Sequence, residues 1–424
     1  MNFNSKYINI LRLLRNERRS LDELIHFQNI ALRKLINHAY YTVKSYRKLY
    51  DSRGLHPEDI RSVEDLTKIP IIDKHTFHQN SVNDLISKEY KKKKLIPVTT
   101  TGSTGMMLKF FIDKSFDQFR KAQFLRPYIT NGRRLLDKSV VFSAPKPASK
   151  KWFQQFSLMA DDKVYFNADT IEQISAIKNI KPAVIQGCAS VLNLLARKIL
   201  DNNILIPKPR LVFTDSEVLT IDMRKNIEKA FGAKIIDIFG TYETDNIAYE
   251  CHHHNGYHIA MDSVVMEIIN DGRKAESFEE GEIVVTVLNN LAMPFIRYNL
   301  HDLSSYSSGT CSCGRTFPLL KTICGRSDDY MITADGRKLS FAALGAYLHP
   351  LTKFVYEFQV IQEEINLFTV FVVPNNSYID YECKKIILPE INKYFPCAKI
   401  DIKVVPAIER KGTGKFMAFI SKVK

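Results

Sequence analysis

The chain has 424 residues, 45% of them hydrophobic, which is enough to build a large core and too long for one ordinary domain. No apolar run reaches the roughly 18 residues needed to cross a bilayer, and the start lacks the apolar region of a secretory signal, so we expect a soluble cytosolic protein. Seven cysteines, an odd and sparse number, disfavour a disulfide framework and favour reduced thiols or metal ligands.

The net charge of +14 would attract nucleic acid, anionic lipid or phosphorylated ligands. Basic residues are concentrated near the start, in YINILRLLRNERRS, residues 7–20. There Tyr7, Ile10, Leu11 and Leu14 recur at helical spacing, and the arginines lie off that stripe. This pattern is typical of a helix packed on its own core with a solvated basic face. Its alternative is a helix lying on a membrane surface.

The next distinct pattern alternates strands with a helix. SVVFSAP and AVIQG read as short buried strands, and LTIDMRKNIEKAFG reads as a helix capped by Thr220 and ended by Gly232. AKIIDIFG follows as a further strand. Because strand, helix and strand in succession form a parallel sheet, we predict a large, multi-layer α/β domain with parallel sheets.

The remainder of the chain predicts antiparallel strands and a second, smaller domain. GEIVVTVLNN and PFIRYNLHDLSSY form two antiparallel strands. Beyond Asp328 the pattern restarts: FQVIQEEINLFTVFVV reads as paired strands, DYECKKIILPEINKYF as an amphipathic helix and KIDIKVVPAI as a strand. We therefore predict an α/β domain over residues 1–326 and a small α+β domain over residues 327–424.

A loop rich in glycine and hydroxyl residues lies in VTTTGSTGMMLKFF, residues 98–111. Its glycines allow the backbone to approach an anion, and its main-chain N–H groups and hydroxyls can donate to phosphate oxygens. It is not the P-loop of nucleoside triphosphatases, because no Gly-Lys-Ser or Gly-Lys-Thr ends it. Taken alone, such a loop is more often only a connection.

Four further motifs follow this loop in a fixed order: FGTYETD, MPFIRYNLHDL, CGRSDDYM and GTGKF. With the loop, they resemble the phosphate loop, the aromatic-Gly-x-Ser/Thr-Glu motif, the Pro-x-Ile-Arg-Tyr motif, the hinge and the terminal lysine motif of the adenylate-forming superfamily. Within it the chain is most similar to the branch of phenylacetate-CoA ligases and capsular polysaccharide biosynthesis ligases. The resemblance runs from about Phe27 to Lys424 and implies a mobile C-terminal domain.

The resemblance implies roles for particular residues. Glu243 would help to bind Mg²⁺ on the ATP phosphates, and Asp302 would accept the ribose hydroxyls. Lys415 would neutralise charge that develops as a carboxylate attacks the α-phosphate. The further ATP-binding residues would be Thr101, Gly102, Ser103, Thr104, Gly105, Gly240, Thr241, Tyr242, Arg326, at ribose or phosphate, and Asp328, the pivot of the small domain.

Each of these residues also has an ordinary structural interpretation. Glu243 fits a surface turn, Asp302 or Arg326 a salt bridge, and Lys415 a basic tail. From the residues themselves we expect Glu243 to follow a strand and a sharp turn at Gly240, and Asp302 to end a strand.

The sequence departs from the family pattern at three positions. Met107 replaces a usual proline, and His301 replaces a usual glycine before Asp302. Tyr242 stands where threonine or serine is usual, so the hydroxyl for a phosphate oxygen must come from Thr241, Thr244 or the tyrosine itself.

A second group of residues suits a metal. ECHHHNGYH supplies Cys251 and His258, and CSCGR supplies Cys311 and Cys313, a soft donor set typical of tetrahedral Zn²⁺. One of the histidines at 252–254 is the alternative to His258 as the fourth metal ligand. The alternative is a pair of buried thiols beside a surface histidine cluster, but similar positions form a zinc site in some phenylacetate-CoA ligase relatives. A closed four-ligand site would be structural. We expect the other cysteines to lie in the core: Cys188, Cys324, Cys383 and Cys397.

The resemblance implies an AMP-forming ligase that activates a carboxylic acid with ATP and Mg²⁺ and transfers the acyl group to coenzyme A. An amine of a sugar or amino acid is the alternative acceptor, favoured by the capsular branch. A nucleic-acid-binding zinc protein is disfavoured, because basic and aromatic residues are not interleaved and the Cys/His spacing matches no zinc finger. We therefore expect no nucleic-acid partner. An inactive scaffold is disfavoured because Glu243, Asp302, Arg326 and Lys415 are all present.

Overall fold

The computed structural model describes residues 6–100, 107–143, 161–410 and 415–423. Within these ranges the α-helices are α1 (Lys6–Asn16), α2 (Leu21–Thr42), α3 (Lys44–Asp51), α4 (Lys74–Gln79), α5 (Val82–Leu85), α6 (Lys114–Thr130), α7 (Thr170–Ile180), α8 (Ala189–Asp201), α9 (Ile221–Phe231), α10 (Phe341–Leu348) and α11 (Asp380–Tyr394). Short 3₁₀ helices span Pro57–Asp59, Val63–Lys68, Lys92–Lys94 and His349–Lys353.

The strands of the described ranges come mostly from the second half of the chain. They are β1 (Ile96–Thr99), β2 (Lys109–Ile112), β3 (Ser139–Ser143), β4 (Asp161–Tyr165), β5 (Val184–Cys188), β6 (Leu211–Asp215), β7 (Ile235–Thr241), β8 (Asp245–Glu250), β9 (Tyr257–Ile259), β10 (Val264–Asn270), β11 (Arg273–Lys274), β12 (Gly281–Val287), β13 (Tyr298–Tyr306), β14 (Leu319–Arg326), β15 (Tyr330–Ile332), β16 (Lys338–Ser340), β17 (Val355–Glu364), β18 (Leu367–Pro374), β19 (Lys399–Val404) and β20 (Phe419–Ser421).

The chain folds into two compact units, each built from two separate stretches. The first unit contains Met1–Arg134 and Ile236–Cys324, and the second contains Leu135–Ile235 and Gly325–Lys424. The mixed α/β class predicted from the sequence is confirmed. The domain boundary between residues 326 and 327 stays a prediction.

The first unit carries an antiparallel sheet in the order β11-β10-β12-β13-β14-β9-β8-β7. The two strands predicted from GEIVVTVLNN and PFIRYNLHDLSSY are β12 and β13, and they pair antiparallel as expected. Helices α1 to α6 contribute apolar side chains to the same core, in which Leu35, Phe110 and Phe295 are fully buried. Helix α2 begins with a capping box between Ser20 and Glu23, which satisfies N–H groups that the first turn leaves unpaired.

The second unit contains the parallel sheet predicted from the strand and helix alternation. Its order is β6-β5-β3-β4, and each pair of neighbours runs parallel. Helix α9 begins and ends where the sequence predicts, because the Thr220 hydroxyl accepts the Met223 N–H and Gly232 adopts a left-handed φ of 66°. Side chains from α7, α8 and α9 pack with the strands around Leu192 and Val212.

The last hundred residues of the second unit form their own sheet and core. Strands β17 and β18 pair antiparallel, and β19 and β20 add to either side in parallel. Helix α11 and helix α10 bury Ile387, Ile391 and Leu344 against this sheet. The predicted strand pair, the amphipathic helix and the following strand are all confirmed.

Candidate active site and metal centre

The phosphate-loop residues Thr101, Gly102, Ser103, Thr104 and Gly105 lie outside the described residues. The elements that flank them are strands β1 and β2, which pair antiparallel from Ile96 opposite Ile112 to Thr99 opposite Lys109. Thr100 closes the end of this hairpin: its N–H donates to the Leu108 carbonyl at 2.9 Å, and its hydroxyl accepts the Leu108 N–H at 2.9 Å. The ends of the predicted loop are therefore fixed at a short distance from each other.

The turn from β7 into β8 carries the second motif. A Cβ atom on Gly240 would lie 2.2 Å from the Asp245 carbonyl oxygen, a distance that no side chain tolerates. Asp245 adopts a left-handed φ of 61°. The hydroxyls of Thr241 and Thr244 lie 3.1 Å apart and hydrogen bond to each other, while the Tyr242 side chain is exposed. The turn predicted at Gly240 falls slightly later in the chain. Gly240 lies inside β7, opposite Asn246 and beside a register shift, and residues 242–244 form the turn, so Glu243 lies within it instead of after it.

Helix α6 supports this turn from the side, a contribution that the sequence analysis missed. Gln123 Nε2 donates to the carbonyls of Asn246 at 2.7 Å and Thr244 at 3.3 Å. Arg120 Nε lies 3.2 Å from Asp245 Oδ2. Burial raises the pKa of Asp245, and the Arg120 charge opposes that rise.

Glu243 lies inside this turn with 8% of its surface exposed. Its Oε1 accepts a hydrogen bond of 3.4 Å from the Tyr298 hydroxyl at the start of β13. Burying a carboxylate is unfavourable unless hydrogen bonds or a cation compensate. This environment suits a ligand of a hard cation such as Mg²⁺.

The prediction that Asp302 ends a strand is wrong, because β13 continues through it to Tyr306. The pairing with β12 is interrupted at this point: Val284 lies opposite Asn299 and Glu282 opposite Leu303, so residues 300–302 face a single residue. This is a bulge, a device that re-aims side chains within a sheet. Asp302 is thus presented by a bulge instead of a strand end.

His301 lies within the same bulge and has a left-handed φ of 60°, the conformation that favours the usual glycine. Its main-chain N–H donates to Asn299 Oδ1 at 2.8 Å. Its ring nitrogens lie 3.2 Å from Glu282 Oε1 and 3.9 Å from Asp73 Oδ2. Two carboxylates therefore hold the histidine that replaces glycine.

In the second unit, Arg326 and Asp328 form a two-bond ion pair. Arg326 Nε and Nη2 donate to Asp328 at 2.7 and 2.8 Å. Burial raises the pKa of the adjacent Asp329, and the charges of Arg326 and Lys415 oppose that rise. Lys415 is half-buried, and its charge is near enough to act on the Arg326–Asp329 segment. Arg326 therefore forms a salt bridge, as its structural interpretation predicts, and Asp328 is the partner.

The four residues predicted as zinc ligands come together in the first unit. The ligand atoms of Cys251, His258, Cys311 and Cys313 all lie within 4.8 Å of one another. Cys251 Sγ is 3.5 Å from Cys311 Sγ, and Cys313 Sγ is 3.4 Å from His258 Nε2. Tetrahedral zinc with bonds of about 2.0–2.3 Å places its ligand atoms about 3.3–3.8 Å apart, so the donor set and its spacing fit this metal.

The charge states that zinc ligands require are partly prepared by the surroundings. Burial lowers the pKa of His258 to about 4, which keeps the imidazole neutral. Burial acts to raise the pKa of Cys313, but hydrogen bonds from the backbone and side chain of Arg315 outweigh it and the pKa is lowered. Burial raises the pKa of Cys251 to about 12, so this thiol would need the metal to lose its proton.

Arg315 connects this cluster to the N-terminal part of the chain. Its guanidinium donates to Cys313 Sγ at 3.4 Å, to Glu17 Oε2 at 2.8 Å and to the Thr130 carbonyl at 2.9 Å. Glu17 also accepts a hydrogen bond from the buried Tyr249 hydroxyl. Arg315 directly follows the CSCG run and so was visible in the sequence, whereas nothing marked Glu17 as its partner.

The prediction for the remaining cysteines is only partly right. Cys188 and Cys383 are buried and Cys324 is intermediate, but Cys397 is exposed. Cys397 adopts a left-handed φ of 62° between α11 and β19, where the chain turns at the surface. Within the parts of the chain that the structure describes, no helix combines the length and the apolar character that a membrane span needs.

Comparison with known proteins places these features in context. Residues 331–422 match the family model of the CapK C-terminal domain. The chain is 28% identical over 328 residues to the phenylacetate-coenzyme A ligase of Escherichia coli (strain K12), with 74% of each chain covered. It is 24% identical over 378 residues to Protein CapK of Staphylococcus aureus, with 85% of this chain and 80% of CapK covered.

The fold is also similar to that of solved ligase structures. The 2-hydroxyisobutyryl-CoA ligase in its postadenylation state superposes with a TM-score of 0.74 at 18% identity, covering 96% of this chain and 91% of that ligase. The open conformation of the same ligase gives a TM-score of 0.65 at 19% identity, covering 96% and 93%. The chain is thus similar to the phenylacetate-coenzyme A ligases and to CapK, the proteins that its ordered motifs indicate.

Proposed function

We propose that the protein uses ATP to convert a carboxylic acid into an acyl-adenylate with release of pyrophosphate, and then transfers the acyl group to coenzyme A. The observation that carries this proposal is the buried Glu243 carboxylate, held in a turn that only Gly240 permits. The relationship to phenylacetate-coenzyme A ligases supports the same reaction. We assign the protein to the cytoplasm, where both ATP and coenzyme A are available.

The proposed roles follow the positions of the residues. Glu243 would help to hold Mg²⁺, which would screen the phosphate charge, while residues 101–105 and Thr241 would donate to phosphate oxygens. Asp302 would accept the ribose hydroxyls from its bulge, and Gly240 and Tyr242 would line the nucleotide. Arg326 would exchange part of its pairing with Asp328 for a contact to ribose or phosphate.

The small domain of residues 327–424 would rotate about Asp328 between the two half-reactions. The match of residues 331–422 to a separate C-terminal family supports this division from the ATP- and acid-binding residues 1–326. Lys415 would then serve only the first half-reaction.

The acceptor has one alternative. The relationship to CapK favours an amine of a sugar or amino acid, and the product would then be an amide. An assay with ATP, an acid and either coenzyme A or an amine panel separates the two acceptors. Consumption of free thiol supports coenzyme A, and amide formation supports the alternative.

The first test is pyrophosphate release measured with ATP, Mg²⁺ and a broad panel of carboxylic acids. We expect at least one acid to stimulate release, and Glu243→Gln to lower that rate by about 10² or more because the metal ligand loses its charge. Glu172→Gln, an exposed change on α7, is the control and should leave the rate unchanged. Turnover by Glu243→Gln at the wild-type rate would show that Glu243 is not a metal ligand.

Lys415→Ala should separate the two half-reactions. Formation of the adenylate should fall by about 10² or more, because a positive charge that acts on the transition state is lost. Acyl transfer from chemically prepared acyl-adenylate should be nearly unchanged. Lys403→Ala, on the exposed side of β19, is the matched control. An equal loss in both half-reactions would instead indicate a general folding or binding role.

We also propose a structural Zn²⁺ held by Cys251, His258, Cys311 and Cys313. Zinc should copurify at about one equivalent per chain, and the paired change Cys311→Ser with Cys313→Ser should lower the melting temperature, because metal binding contributes to folding free energy. Cys397→Ser, at the exposed cysteine, should leave both zinc content and melting temperature unchanged. Carefully prepared wild-type protein without zinc would contradict the proposal.

The exposed face of α1 favours contact with an anionic membrane surface. Tyr7 and Leu11 are 70% and 69% exposed, and Arg12 and Arg15 lie exposed on the same helix. The protein should therefore sediment with vesicles that contain phosphatidylglycerol and not with neutral vesicles, and Leu11→Glu should weaken this binding severalfold. Equal recovery with both vesicle types, or dimerisation through this face, would rule the membrane contact out.

A further inference from the structure

Two residues near Lys415, Arg410 before it and Phe416 directly after it, form hydrogen bonds to residues of the 161–217 stretch. All of these residues belong to the second unit. We call Arg410, Lys415 and Phe416 the Lys415 segment. On the N-terminal side, Arg410 exchanges two hydrogen bonds with the side chain of Asn167. The Arg410 N–H donates to Asn167 Oδ1 at 3.3 Å, and Asn167 Nδ2 donates to the Arg410 carbonyl at 2.8 Å. Both hydrogen bonds go to main-chain atoms of Arg410, so Asn167 holds the backbone at that residue.

On the C-terminal side, the residue directly after Lys415 is held by Glu217. The Phe416 N–H donates to Glu217 Oε1. The same carboxylate accepts the Ser190 N–H at 2.8 Å and the Ser190 hydroxyl at 3.1 Å. Burial raises the pKa of Glu217, and the hydrogen bonds from Phe416 and Ser190 oppose that rise. The Phe416 amide is therefore one of the groups that compensate a carboxylate removed from water.

The Arg410 side chain strengthens the same arrangement. Its guanidinium forms an ion pair with Glu357 of β17, with side-chain exposures of only 4% and 7%. It also lies 3.5 Å from the Ser190 hydroxyl and 5.3 Å from the centre of the Phe416 ring. Phe416 in turn packs against the buried cluster of Tyr356, Val373 and Ile408. A buried ion pair that lost one partner would leave an uncompensated charge, so separating Arg410 from Glu357 is unfavourable.

We propose that Glu217 and Arg410 are positioning residues that clamp the Lys415 segment in the placement used for adenylate formation. The proposal rests on the proposed function, in which the small domain moves between half-reactions. Asn167, Ser190 and Glu217 precede the pivot at Asp328, whereas Arg410 and Phe416 follow it, so rotation about the pivot breaks the clamp. A misplacement of about 1 Å at a catalytic group can cost about 10²-fold in rate.

The first experiment measures the clamp without any substrate. Amide hydrogen exchange of peptides that cover residues 415–423 should be faster in Glu217→Ala than in wild type. Asp222→Ala is the matched control, because Asp222 pairs with His349 between the same two parts of the chain and makes this exposed ion pair instead of one to Arg410 or Phe416. It should leave this exchange unchanged. Equal exchange in Glu217→Ala and wild type would overturn the clamp even if no acid substrate is found.

The second experiment measures its consequence in the two half-reactions. Glu217→Ala should slow adenylate formation by about 10-fold to 10²-fold and leave acyl transfer from prepared acyl-adenylate unchanged, and Glu217→Gln, which keeps an acceptor, should recover much of the loss. Because Glu217 acts through Lys415, Glu217→Ala should cost nothing further in a Lys415→Ala background. Additive losses in the double variant, or equal losses in both half-reactions, would contradict a positioning role. Absence of pyrophosphate release by wild type would count against the proposed function alone.

Discussion

The contact between Gly240 and the Asp245 carbonyl is the constraint on which the nucleotide site depends. A Cβ atom at position 240 would lie 2.2 Å from this carbonyl oxygen, so only glycine fits there. The absence of a side chain lets β7 and β8 approach closely where the chain reverses. Glu243 is buried because it lies within that reversal. Arg120 and Gln123 of α6 hold the far side of the turn, so the carboxylate is positioned by a helix as well as by its own strands. Such support limits the reorganisation that a metal ligand would need.

The two candidate metal sites differ in the chemistry of their donor atoms. Glu243 is a hard oxygen donor with a phenol as its hydrogen-bond partner, and a hard cation would complete its environment. The Cys/His cluster holds soft donors close together, and hydrogen bonds from Arg315 outweigh burial and lower the pKa of the Cys313 thiol. One site therefore fits an ion that accompanies a substrate, and the other fits an ion that belongs to the fold.

Local patterns in the sequence predicted the elements well, because Thr220 and Gly232 fix the ends of α9 through their own hydrogen bond and backbone angle. The motifs also placed Glu243 in its turn and brought the four Cys/His residues into one set. Asp302 was misplaced because a bulge depends on the register against β12, which one strand does not reveal. Arg120, Gln123 and Glu217 were missed for a similar reason. Arg120 and Gln123 contact residues more than a hundred positions away, as Glu217 does at Phe416, and a polar residue on a helix or after a strand does not identify such a distant partner.

The Arg315–Glu17 ion pair has a consequence for how the chain is made. Its two residues are separated by 298 positions, and the hydrogen bond from Asn16 to Asp262 spans 246. Because a ribosome synthesises the earlier residues first, Glu17 is made long before Arg315, the cation that pairs with it. Closure of the first unit is consequently a late, non-local event in folding, because contacts between distant positions form slowly.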